Sequence, residues 1–353
     1  MPVGRAATDE EISSGAAGRS RLDHMEQFLA FFGQCSSTCT ISHAGTTITL
    51  AYADEGFASK IVPAFQNWVV RESERAADLT VLLVRRKDIE ELDTIFGEGI
   101  KLYSGHPQET LVSSQNGMQF VLQRSSEALS VIQLEQRCAA YVVESADALS
   151  NTERGSPLKH ILSAFFCEKD FLVLHAAAVA YRGSTVLISG SSGAGKSTLS
   201  AACTQSGWSF LSDDTTLCSR DGTVFGVYNT LKLQAQQSSQ FPFLARCEKL
   251  EGDSTEKSVY FMNDESTNGS DISLASALVF PVLSPGHASE IEPISKGEAY
   301  RRLLATSLFF LPATQSATTV NRLAKLAREL PAYRLVVGED PMQVPAVIAS
   351  VLE

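Results

Sequence analysis

The stretch that most constrains this chain is "ISGSSGAGKSTLSAACTQSGWSFLSDD", residues 188–214. Within it, Gly190-Ser191-Ser192-Gly193-Ala194-Gly195-Lys196-Ser197 fits the pattern G-x-x-x-x-G-K-[ST] without deviation. The apolar run "STVLISG" leads into the loop and a helix-forming run, beginning at Lys196 and closed by Gly207, leaves it. Glycines let successive backbone N–H groups turn inward around phosphate oxygens. The helix behind the loop adds its positive N-terminal end. Lys196 can then reach the terminal phosphates of a nucleotide, and the Ser197 hydroxyl can bind Mg2+.

Asp213 and Asp214 follow 17 residues after Lys196, at the end of the short strand "WSFLSDD". If that strand lies parallel beside the loop's own strand, its C-terminal end opens onto the phosphates. One carboxylate would hold Mg2+ together with Ser197, and the other would accept a proton from an attacking hydroxyl. Adjacent residues of a regular strand point to opposite faces, so both reach one site only if the chain bends there. In the alternative, Asp214 is a turn residue and Asp213 alone binds metal.

The 353 residues allow two ordinary domains. The net charge of −11 argues against a general nucleic-acid or anionic-membrane binder, since both need a positive field. Seven scattered cysteines, with "CSSTC" as the one close pair, lack zinc-site spacing and suit a reducing compartment. There is no apolar leader at the N-terminus and no run near the ~18 apolar residues of a membrane span, so a cytoplasmic location is expected.

Three segments are expected. Residues 1–23 form a mobile tail, 24–150 an N-terminal α+β domain, and 151–353 the domain carrying the loop. In the second segment, "HMEQFLAFFGQ" has a helical pattern, and "TITLAYA" and "DLTVLLVRRK" read as strands. Between them "ASKIVPAFQNWVVRES" puts Ile61, Phe65, Trp68 and Val69 on one helical face. "GMQFVLQRS", "ALSVIQLEQ" and "CAAYVVES" are further strands, and "SNTERGSP" reads as a loop. "TTLCSRDGTVFGV" reads as two strands about an Asp221-Gly222 turn, and the stretch 247–271 as a polar loop region around one strand.

The run "LHAAAVAYRGSTVLISGSSGAGKSTLSAACTQSGWSFLSDD" resembles the catalytic core of the HPr kinase/phosphorylase family. It has a histidine on a strand, a short turn, the glycine loop, one helix and an Asp-Asp pair. The likeness is close over 171–217 and looser to about 350, through "TLKLQ", "EKSVYF" and "PAYRLVVGED". It implies an α/β fold with a P-loop core like that of HPr kinase and phosphoenolpyruvate carboxykinase, beside a smaller N-terminal α+β domain. The N-terminal part is more similar to divergent relatives, including kinases that phosphorylate lasso-peptide precursors.

Carried over by position, the resemblance implies Asp213 as general base and Asp214 with Ser197 as Mg2+ ligands. Residues Gly190 to Thr198 would bind ATP, with Lys196 on the β- and γ-phosphates and His175 close to the reacting groups. The loop departs from the family by ending Lys196-Ser197-Thr198, where the bona fide enzymes usually read Lys-Ser-Glu. The C-terminal segment that contacts HPr has no counterpart here, so HPr itself is not implied as the acceptor.

Lys257 in "STEKSVYF", and less so Lys232 in "NTLKLQ", are candidates for a second cation at the transferring phosphoryl group. The expected function is an ATP- and Mg2+-dependent kinase acting on a hydroxyl, chiefly serine of a peptide or small protein. A small-metabolite kinase and a nucleotide-gated binding module are the alternatives. A homo-oligomer is left open.

Overall fold

The computed structural model describes residues 35–71, 75–88, 103–106, 110–115, 117–123, 126–252, 256–263, 273–308 and 316–352. The expected helix over 24–34 lies outside them. The chain is a mixed α/β protein in which two large sheets and a small one share its core.

The first sheet holds β1 (Ser37–His43), β2 (Thr46–Tyr52), β3 (Val69–Val70), β4 (Leu79–Arg85), β5 (Tyr103–His106), β6 (Thr110–Gln115), β7 (Met118–Gln123), β8 (Ala128–Gln133) and β9 (Cys138–Val143). Among the described residues its order is β3-β1-β2-β4-β9-β8-β7-β6-β5. β4 pairs in parallel with both β2 and β9, and its residues pack into cores on both faces, as central parallel strands do. The segment between β2 and β3 is not one helix: α1 (Glu55–Ile61) gives way to a 3-10 turn over Val62–Trp68 with Pro63 in its first turn, and Val69 is already strand. Proline has no N–H to continue the α-helical ladder.

The expected loop at 150–157 contains a short helix, α2 (Asn151–Gly155). Ser150 and Glu153 form a capping box at its start, a pattern legible in the sequence as S-x-x-E. α3 (Lys159–Glu168) follows.

The second sheet comprises β10 (Leu172–Leu174), β11 (Ala176–Tyr181), β12 (Ser184–Ser189), β13 (Ser209–Ser212), β14 (Thr216–Cys218), β15 (Thr223–Gly226) and a long strand at Ser273–Leu283. Its described order along one path is β10, β14, β15, the long strand, β12, β11, β13. α4 (Lys196–Gln205) joins β12 to β13, and Gly207 after it takes φ 87°, the left-handed conformation that ends a helix. A small sheet is built from β16 (Thr230–Leu233), β17 (Glu248–Leu250) and β18 (Ser258–Phe261), so the polar region after 247 carries two strands rather than one. The long strand is β19; β20 (Glu290–Pro293) and β21 (Ala332–Val337) extend the second sheet beside it. α5 (Ala235–Ser238), α6 (Lys296–Ser307), α7 (Ser316–Glu329) and α8 (Val344–Ala349) complete the described helices.

One apolar cluster crosses from the first sheet into the second. It contains Leu50, Phe57 and Val81 together with Phe165, Val173, Leu217, Tyr228 and Val259. Backbone and side-chain bonds reinforce the seam: Asn229 N–H donates to Ala64 O at 3.0 Å, and His43 Nε2 meets Gly226 O at 2.6 Å. Among the described residues no helix is long and apolar enough to cross a membrane.

Candidate active site

Strand order brings the sequence motifs together. β11 is antiparallel to β12 on one side and to β13 on the other, with Ala176 opposite Ser189 and Ala178 opposite Ser212. β13 is therefore not the immediate neighbour of β12; β11 lies between them. Two antiparallel steps leave β12 and β13 running the same way. Their C-terminal ends and the start of β11 thus meet at one edge of the sheet. That edge collects the glycine loop, Asp213-Asp214 and His175.

The loop spans from Ser189 to Lys196. Gly193 and Gly195 have φ of 83° and 92°, where a side chain would be strained. A Cβ on Gly190 would lie 2.9 Å from the Ala194 Cβ, so a side chain there would close the turn that Ala194 N–H makes to Ser191 O. Ser192 is exposed, and Thr198 turns aside to donate to Gln237 Oε1 at 3.3 Å. The Lys196 ammonium is buried and donates to Gly190 O at 2.7 Å and to Ser191 O at 3.2 Å. Burial lowers its pKa against the pull of Asp214 and Asp213, and the charges of Lys257 and Lys159 lower it further.

Lys196 Nζ also lies 3.0 Å from His175 Nε2, and His175 Nδ1 lies 3.2 Å from Asp214 Oδ1. An ammonium only donates, so Nε2 accepts and the ring proton sits on Nδ1, facing both the Asp214 carboxylate and the Asp214 backbone O, which also lies 3.2 Å away. Burial lowers the His175 pKa from 6.5, with Asp214 opposing. The imidazole is therefore neutral near pH 7, with its tautomer set by two charged neighbours.

The two aspartates have opposite surroundings. The chain bends at 213–214, where Ser212 Oγ donates to Thr215 O at 2.9 Å. Asp214 Oδ2 lies 3.1 Å from Lys232 Nζ and 3.5 Å from Lys159 Nζ, and accepts from Ser156 Oγ at 3.3 Å. Burial works to raise its pKa, but Lys159, Lys232 and His175 outweigh it and hold the carboxyl well below the usual range. Asp213 accepts the Lys232 backbone N–H at 2.9 Å through Oδ2, and the Ser197 hydroxyl lies against its carboxylate. Burial raises its pKa, only partly offset by Lys232 and Ser197. Its Oδ1 is buried with no hydrogen-bond partner among the described residues.

This grouping reverses the expected one. Asp213, not Asp214, stands with Ser197, while Asp214 stands with His175. Lys232 touches both aspartates, Asp214 through its ammonium and Asp213 through its backbone N–H, and Lys159 is the second cation on Asp214. Lys257 is half-buried and felt at Lys196 as a charge, with no described bond to it. Lys159 and Ser156 were not singled out in the sequence. Lys232 has a sequence signal of its own: it interrupts an apolar strand, Thr230–Leu233, whose residues are all buried. Lysine is almost never buried without a partner.

No protein-family model matches the chain, and no curated protein matches it. Among solved structures, the HPr(Ser) kinase/phosphatase from Coxiella burnetii is similar at 11% identity and a TM-score of 0.26, over 51% of this chain and 95% of that one. That is a distant likeness, and the functional reading rests on the site's own geometry.

Proposed function

We propose that this chain is a phosphotransferase that moves the terminal phosphoryl group of ATP to a hydroxyl. The observation that carries the reading is the meeting of Lys196, His175, Asp213 and Asp214 at the mouth of a glycine loop. Loop amides and Lys196 would bind the phosphates and stabilise the charge on the transferring group. Ser197 and Asp213 would hold Mg2+: both offer hard oxygen donors, and the partnerless Asp213 Oδ1 leaves one lone pair set free for a cation. When bound, that ion neutralises charge on the phosphate oxygens.

On the acceptor side, with Asp213 assigned to the metal, His175 is a better proton acceptor than Asp214. A carboxyl held as low as Asp214 is a weak base, whereas a neutral imidazole with an accepting Nε2 is matched to pH 7. Lys196 drawn onto the phosphates would leave Nε2 for the acceptor. The hydroxyl oxygen then attacks phosphorus as its proton passes to Nε2, and the bond from phosphorus to the departing diphosphate breaks. Asp214 would orient the ring and balance the imidazolium. The resemblance of 171–217 to HPr-kinase-like enzymes supports a serine of a peptide or small protein as acceptor.

The test is transfer from radiolabelled ATP to candidate peptides, and to water as the default acceptor. His175→Asn and Asp214→Asn should abolish transfer while nucleotide binding persists. The rate should climb with pH along a limb centred below pH 6.5, the direction in which His175 is shifted. Full transfer by His175→Asn would remove it as the base.

A further inference from the structure

The glycine loop has two flanks of opposite character. On the β11 side are His175 and the aspartates. On the other side β12 pairs in parallel with β19, and β19 with β21, so all three strands end at the loop's edge. Ligands of such sheets bind in the crevice outside these strand ends. Here the end of β19 is apolar and open to solvent: Leu283 is 54% exposed and Val282 39% exposed, two of the few large exposed hydrophobics among the described residues.

Leu283 belongs to the loop's surroundings. A Cβ on Gly195 would stand 3.4 Å from Leu283 Cδ2, and Pro281, two residues earlier, lies under Gly190, where a Cβ would stand 3.7 Å from its ring. The turn that follows is held in place. Ser284 N–H donates to Val337 O at 2.9 Å, and Gly338 N–H to Ser289 Oγ at 3.1 Å. Gly338 packs so closely that a Cβ would lie 2.3 Å from His287 O. The apolar tip is thus a fixed surface beside the phosphate cradle.

From this we infer that Leu283 is the platform for the nucleoside half of the bound nucleotide. The inference rests on the reading of the loop as a triphosphate site. If Lys196 and His175 mark where the terminal phosphate reacts, the rest of the molecule must leave on the opposite flank. A nucleoside offers an apolar face, and covering Leu283 with it removes hydrocarbon from water. The triphosphate alone would have no use for that surface.

The experiment compares Mg-ATP with Mg-tripolyphosphate by calorimetry on the full chain. Leu283→Ser should weaken ATP binding about tenfold, the order expected for uncovering one aliphatic side chain, and leave tripolyphosphate unchanged. Leu283→Phe should retain ATP affinity. Equal weakening of both ligands would mean the substitution disturbs the loop and would overturn the platform, as would unchanged ATP binding by Leu283→Ser. If the unaltered chain binds neither ligand, the triphosphate reading fails first. ATP binding by the unaltered chain with no effect of Leu283 sinks the platform alone.

Discussion

The first sheet and the second bury different things. Through β4 and β9 the first sheet buries hydrocarbon on both faces: Leu79, Val81 and Leu83 on one side, Leu82 and Val84 on the other. Among the described residues the charged side chains that are buried are Glu153, Lys196, Asp213 and Lys232, and none belongs to the first sheet. Glu153 is satisfied by Ser150 and Tyr141 in the helix cap between the sheets. Lys196 and Asp213 lie at one edge of the second sheet, and Lys232, on β16 of the small sheet, reaches the same place through its backbone N–H to Asp213. Burying charge costs stability unless it is partnered, so this edge carries a cost that the apolar burial of the first sheet helps to offset.

The contrast can be broken most forcefully at Lys196. Lys196→Met should slow phosphoryl transfer by on the order of a hundred- to a thousandfold while the melting temperature changes little. A rate unchanged in single-turnover measurements would remove the site from the second sheet's edge. Phe57→Ala should do the reverse. Phe57 is fully buried in the shared core, and its loss should cost about 3–5 kcal/mol in denaturant titration with the nucleotide affinity of the folded fraction retained.

A smaller pair of effects should have opposite signs. Asp213 is raised by burial, so its charge weakens the fold at neutral pH and is relieved as the pH falls through its raised pKa. Asp214 is held low, so its charge supports the fold above the ordinary aspartate range and is lost only at much lower pH. At pH 7, Asp213→Asn should therefore raise the melting temperature and Asp214→Asn lower it. Two shifts of the same sign would show that the two surroundings do not differ as described. The smallest effect belongs to the seam. His43 is pushed down to about 4 by burial, against its bond to Gly226 O, so its contribution is complete above about 6.5 and fades as the pH drops towards 4. A His43→Gln chain should show a flatter stability profile across that window.

Much of the site was legible because it is local. Strand, turn, strand, loop, helix and Asp-Asp all fall within 172–214, and each boundary has its own residue signal, such as Gly207 at φ 87°. Strand order was not legible: no side chain announces that β11 would separate β12 from β13. Nor was the division of labour between the aspartates, because it depends on Lys159, Ser156 and Lys232, which arrive from distant segments. In the first sheet, "TITLAYA" and "DLTVLLVRRK" were recognisable as strands, but their parallel pairing was not. The split at Pro63 shows a helical spacing overruled by one missing N–H.

The apolar seam between the sheets also limits how the chain could be re-engineered. Phe165, Val173, Leu217 and Tyr228 support the segments around the site, yet their other neighbours are Leu50, Phe57 and Val81. Excising the segment from 151 onward as a portable unit would strip one wall from that cluster and expose greasy surface to water. A graft into another scaffold would have to carry the first sheet along or resurface these positions with polar residues. In design, the unit to carry is the pair of sheets.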